Sequence, residues 1–124
     1  NVITWTPYTI GRSFIAEHRR FAQAYLSLPA ATGKVVEGAV SGPAGRDVRV
    51  RTYPVGRDVT YVSVAHRGYA PATFTVALPG MPAGAVVTDL VTGETVPATI
   101  RDGALAFTVS SRAMELNSYR IDVR

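Results

Sequence analysis

Apolar side chains in the first quarter of the chain recur at steps of three and four residues. This stripe consists of Phe14, His18, Phe21, Tyr25 and Leu28. Such spacing places side chains on one face of an α-helix, so it predicts an amphipathic helix over about residues 13–28. Pro29 ends the pattern, because the residue before a proline is pushed out of helical geometry. We therefore expect the aromatic stripe to pack against another element.

After Gly33 the pattern changes to short runs of alternating apolar and polar residues, separated mostly by glycine and proline. Alternation is typical of a β-strand with one buried face. The runs predict strands at 35–40, 47–53, 58–65, 72–78, 86–90, 95–100, 104–109 and 117–123. Antiparallel sandwiches commonly show strands at such short, regular intervals. The sequence therefore predicts a mainly β protein, an antiparallel β-sandwich of about eight strands preceded by one amphipathic α-helix.

The length of 124 residues fits one domain. Trp5 and Tyr8 precede the helix, where no predicted strand is available to cover them. We accordingly divide the chain into an N-terminal segment and helix over 1–33, interpreted as a linker or seam to a missing domain, and a β-sandwich domain over 34–124.

The net charge of +4 raises the question of nucleic-acid binding. The densest basic group is Arg46, Arg49, Arg51 and Arg57, but Asp47 and Asp58 lie among them. Since a surface that follows phosphates normally gathers its cations on one face, we expect no nucleic-acid partner. No run approaches the about 20 apolar residues of a membrane span, so we expect no membrane partner either.

Residues for catalysis and metal binding are few. Cysteine is absent, which excludes disulfides, thiolate metal sites and a cysteine nucleophile. His18 falls on the helix stripe and is expected to be a packed core residue, whereas His66 is expected at a hairpin turn. The two histidines lack metal-ligand spacing, and no pair of carboxylates or serine motif stands out. We expect no catalytic residue, metal site or cofactor in this chain.

Aromatic side chains are the remaining candidates for a binding site, because sugar rings stack on exposed tryptophan and tyrosine faces. The candidate substrate-binding residues are Trp5, Tyr8, Tyr53 and Tyr69. The alternative is structural, since aromatics at strand ends often cover the edge of a core.

Three segments in the last third of the chain carry a resemblance to a known family. They read VTDLVTGETV over 87–96, DGALAFTV over 102–109 and MELNSYRI over 114–121. These segments resemble the C-terminal β-sandwich of bacterial glycoside hydrolases built on a TIM barrel. Agarase-like and galactosidase-like enzymes are both compatible with this resemblance. Residues 59–76 are similar to the preceding hairpin in that family. Residues 19–30 are similar to its last barrel helix and linker.

The resemblance implies a non-catalytic accessory domain of a polysaccharide-degrading enzyme, which is secreted or periplasmic. Its implied partners are the catalytic TIM barrel of the same protein and a polysaccharide. The catalytic carboxylates of that family belong to barrel strands, so none is carried over to this chain. The alternative is a free-standing carbohydrate-binding or adhesion β-sandwich with no enzyme attached.

Overall fold

The computed structural model describes residues 12–123, and side chains from residue 18 onward. A helix, α1, spans Arg12–Leu26, and a 3-10 helix spans Pro43–Arg46. The strands in this part of the chain are β1 Lys34–Val35, β2 Val48–Val55, β3 Val59–His66, β4 Ala72–Pro79, β5 Val86–Asp89, β6 Thr95–Val96, β7 Ala98–Arg101, β8 Ala104–Ser111 and β9 Leu116–Asp122.

The strands form two antiparallel sheets that pack as a sandwich. The larger sheet has the order β1-β2-β3-β9-β5-β6, and the smaller has the order β4-β8-β7. The predicted mainly β sandwich with one preceding helix is therefore confirmed. No helix within residues 12–123 combines the length and apolar character needed to cross a membrane.

The core lies between the sheets and follows the alternation of the strands. Val62 and Val64 of β3 point inward together with Ile121 of β9, and each is 0% exposed. The smaller sheet contributes Phe74, Val76, Leu78, Leu105, Phe107 and Val109. Phe107 and Tyr119 meet edge to face across the two sheets, with ring centroids 5.1 Å apart. This arrangement is a favourable one for aromatic rings.

Two predictions about the strands are wrong. The run 95–100 is divided at Pro97, and its halves, β6 and β7, belong to different sheets. Proline has no N–H to donate to a ladder, so a strand is readily interrupted there. The segment 59–76 is not a hairpin, because β3 pairs with β2 and β9 whereas β4 pairs with β8 in the other sheet.

Helix α1 lies on the outer face of the larger sheet, over β9. Among the described side chains of α1, Ala24 is fully buried at 0% exposure, whereas His18 and Tyr25 of the predicted stripe are half-buried. Phe21 stays 37% exposed and stacks on Tyr25, with ring centroids 6.1 Å apart. The small alanine lets the helix backbone approach the sheet closely. The side chain of Phe14 is outside the described ones.

Candidate functional site

Tyr53 lies on the outer face of β2 and is half-buried. Its hydroxyl is 3.2 Å from the Oγ of Ser63 on the neighbouring strand β3. The chain that leads from α1 to β1 crosses its ring, since a methyl group added to Gly33 would lie 2.5 Å from Tyr53 Cε2. One side of the ring is thus occupied by the protein's own backbone.

Tyr69 has a different environment, because it lies in the connection between β3 and β4 and is 91% exposed. This connection is held beside the start of β2 by the Arg67 N–H, which donates to the Asp47 carbonyl over 2.7 Å. Tyr53 is six residues further along β2, a distance of about 20 Å in a strand. The structure therefore does not bring Tyr53 and Tyr69 together on one binding surface. Trp5 and Tyr8 lie outside the described residues.

His66 is the last residue of β3 and is 4% exposed, so its predicted position in a hairpin turn is wrong. Its Nδ1 lies 2.8 Å from the carbonyl oxygen of Arg112, and its ring tilts against Phe74. His66 follows Val62 and Val64 in the alternation of β3, a signal that places it on the inner face. Its contacts fix the loop before β9 to the end of the sandwich. His18, predicted as a core residue, is half-buried.

The described part of the chain contains no group of three or more His, Cys, Asp or Glu residues arranged to hold a metal ion. Asp122 is instead paired with the guanidinium of Arg120, with its Oδ1 3.0 Å from Nη2. That hydrogen bond is the main cause that raises the pKa of Arg120 above its ordinary value. An open pocket of about 400 Å³ adjoins this pair and is lined by Asp58, Val86, Asp122 and Val123.

A smaller pocket of about 130 Å³ opens between β2 and the segment that follows β1. The Val36 N–H donates to the Val50 carbonyl over 2.9 Å, so the two segments begin side by side. The first segment then crosses to the smaller sheet, where the Ala39 carbonyl accepts from the Ala77 N–H and Val40 bridges to Val76. The gap left between these backbones is the pocket.

Three of the residues that line this pocket are arginines, and each comes from a different element. Arg46 ends the 3-10 helix, Arg49 lies on β2 and Arg67 directly follows β3, and all three are exposed. None of them makes an ion pair with a carboxylate in the part of the chain that the structure describes. Glu37 also lines the pocket and carries the opposite charge. We call the pocket that Arg46, Arg49 and Arg67 line the arginine pocket.

No protein-family model and no curated protein matches this chain. A solved structure does. The fold is similar to part of α-galactosidase I from Mortierella vinacea, with a TM-score of 0.52 and 14% sequence identity. The match covers 73% of this chain and 23% of the α-galactosidase chain, so it concerns less than a quarter of that longer protein. At this identity the likeness shows the fold: this chain is a β domain that resembles part of a glycoside hydrolase.

Proposed function

We propose that this chain is a non-catalytic accessory β-sandwich domain of a larger, polysaccharide-degrading glycoside hydrolase. The observation that carries the proposal is the similarity of its fold to one part of an α-galactosidase. The three segments that resemble the C-terminal sandwich of TIM-barrel hydrolases support the same class of enzyme. Under this proposal the parent protein is secreted or periplasmic, because its polymeric substrate is outside the cell.

The domain packs on the catalytic barrel and supports it, and helix α1 offers one surface for that contact. Leu26 at the end of α1 is 76% exposed, and Phe21 is 37% exposed on the same helix. Covering Leu26 with a second domain would remove its apolar surface from water and so stabilise the contact.

The proposal is tested first on the coding sequence and on the purified chain. We expect a catalytic barrel to be encoded ahead of residue 1. We expect the 124-residue chain to leave agarose, galactan, xylan, glucan and chromogenic galactosides uncut. Turnover that is abolished by changing Glu17, Glu37, Glu94 or Glu115 would contradict the non-catalytic role.

The packing role is tested in the complete protein by Leu26→Ser, with Val55→Ser as the matched control. Both side chains are exposed, and Val55 lies at the far end of β2. If α1 faces the barrel, Leu26→Ser lowers the Tm of the complete enzyme and leaves that of the isolated chain unchanged. Equal effects of the two substitutions in both proteins would contradict packing through α1.

A free-standing carbohydrate-binding module is the second candidate, and the exposure of Tyr69 favours it. Under that function, Tyr69→Ala would abolish retention of the isolated chain on an insoluble polysaccharide, and Tyr69→Phe would preserve it. An accessory packing domain is expected to show no retention that depends on Tyr69.

A further inference from the structure

The backbone around the arginine pocket is fixed, although its side chains come from three elements. The Asp47 N–H donates to the Ala44 carbonyl over 3.0 Å, which ties the 3-10 helix to the start of β2. The Asp47 carbonyl in turn accepts from the Arg67 N–H over 2.7 Å. One residue, Asp47, thereby holds the backbones that carry Arg46 and Arg67 at the same corner. The backbone positions of Arg46 and Arg67 are therefore set by the fold.

The charge around the pocket is unbalanced. The lining residues include three arginines and the carboxylate of Glu37, and the Asp47 carboxylate lies at the same corner, beside Gly68, which leaves a formal charge of about +1 from these five side chains. Val48, Val50 and Ala39 also line the pocket, and Val50 and Ala39 are buried.

These features define the kind of ligand that the pocket suits. Guanidinium groups present planar pairs of donors that match the oxygens of carboxylate and sulfate groups. The pocket has a volume of about 130 Å³. It therefore suits one small anionic group rather than a whole chain of sugars.

We propose that the arginine pocket binds one oxyanion, the sulfate ester or carboxylate of an acidic saccharide. The saccharide as the source of this group rests on the proposed function, whereas the oxyanion chemistry rests on the pocket alone. The parent hydrolase would then act on an acidic polysaccharide, with this domain holding a charged substituent of the polymer beside the catalytic domain.

The test uses calorimetric titration of the full 124-residue chain with five probes: a sulfated galactan oligosaccharide, an oligogalacturonate, a neutral agaro-oligosaccharide, sodium sulfate and a double-stranded oligonucleotide. We expect at least one of the two acidic saccharides to bind, sodium sulfate to compete with it, and the neutral saccharide to show no measurable binding. Single changes of Arg46, Arg49 or Arg67 to Gln should each weaken saccharide binding about tenfold, the value of one charge-assisted hydrogen bond. Arg57→Gln is the matched control, because Arg57 is exposed but does not line the pocket, and it should leave affinity unchanged.

Four results would overturn the proposal: no binding of any acidic probe, equal binding of the neutral saccharide, an equal loss in Arg57→Gln, or preferential binding of a double-stranded oligonucleotide. Binding of sodium sulfate alone would overturn the saccharide assignment. A coding sequence without a catalytic barrel would contradict the proposed function and would leave these titrations unaffected, so the two failures are distinguishable.

Discussion

The Ser118 hydroxyl donates a hydrogen bond to the Oγ of Ser27, and the two oxygens are 2.9 Å apart. The direction follows from the single proton on each hydroxyl, because Ser27 already donates its own to the Ala24 carbonyl over 2.8 Å. Ser118 is 0% exposed although it points to the outer face of β9. This bond therefore joins the end of α1 to the sheet at a place where both surfaces are built from small residues.

We expect Ala24→Leu to destabilise the fold, because Ala24 is 0% exposed and the larger side chain must push α1 away from β9. Overpacking of this kind costs about 1–3 kcal/mol. Gln23→Leu is the control, since residue 23 is exposed on the same helix and can carry a leucine side chain without the clash. The free energies of unfolding in urea compare the two variants. Equal stability would show that α1 is not packed as described.

Phe21→Ala is expected to cost clearly less than the roughly 3–5 kcal/mol typical of a phenylalanine removed from a core. The reason is that Phe21 is 37% exposed and its ring contact is with Tyr25 of the same helix. Phe107 is 2% exposed, so Phe107→Ala gives the loss of unfolding free energy expected for a core phenylalanine in the same denaturation experiment. A loss at Phe21 as large as that at Phe107 would restore the aromatic stripe as the buried face.

The longer strands could be predicted because each carries its own alternation of apolar and polar residues. In β4 the side chains at 74, 76 and 78 are buried and those at 73 and 75 are exposed, as alternation requires. The buried face of α1 could not be predicted in the same way. Hydrophobicity favours Phe21, but the surface that receives the helix includes Ser118, 91 residues away from Ser27 in the chain.

The arginine pocket, too, could be predicted from the sequence only in part. Arg46 and Arg49 stand out in the sequence as part of a basic group, but their partner Arg67 comes from the end of another strand. The register that places Val48 opposite His66 brings Arg67 beside them. Arg51 and Arg57, which are nearer to Arg49 in sequence, do not line the pocket.

Alkaline pH is expected to destabilise the domain through Tyr119. Burial is the main cause that raises the pKa of this phenol well above its usual range, and the charges of Asp89 and Glu115 add to the shift. The phenol therefore ionises at lower pH in the unfolded chain than in the folded one, so stability is intact below pH 10 and falls above it. For the single phenol of Tyr119, the free energy of unfolding falls by about 1.4 kcal/mol per pH unit.

Unfolding free energies of Tyr119→Phe and Tyr69→Phe, measured from pH 8 to pH 11, check this expectation. Tyr119→Phe should reduce the loss above pH 10. Tyr69→Phe should follow the unchanged protein, because Tyr69 is 91% exposed. An identical pH profile for all three proteins would contradict a buried, neutral Tyr119.

The segment Asp-Leu-Val-Thr-Gly-Glu over 89–94, part of the family resemblance, is also a tight turn between β5 and β6. Asp89 Oδ1 accepts hydrogen bonds from the N–H groups of Val91 and Thr92, over 2.8 and 3.1 Å. Gly93 has a φ of 77°, a conformation that glycine adopts without a steric cost. Its N–H donates to the Asp89 carbonyl over 2.8 Å. Turn chemistry thus accounts for the aspartate and the glycine of this motif without a role in binding.

Asp89→Ala separates that structural role from a functional one. It leaves the Val91 and Thr92 N–H groups without their acceptor, and we expect a loss of about 0.5–2 kcal/mol, as for the loss of a helix cap with the same bonding. Asp89→Asn keeps the side-chain oxygen that accepts these bonds and should restore most of that stability. If the negative charge itself were required, Asp89→Asn would not restore it. Urea denaturation of both variants, together with titration of the acidic saccharides, provides the comparison. If Asp89→Asn were as unstable as Asp89→Ala, the charge of Asp89 rather than its hydrogen bonds in the turn would explain this residue. If both variants bound the acidic saccharides with unchanged affinity, the result would agree with a binding site at the arginine pocket and not at this hairpin.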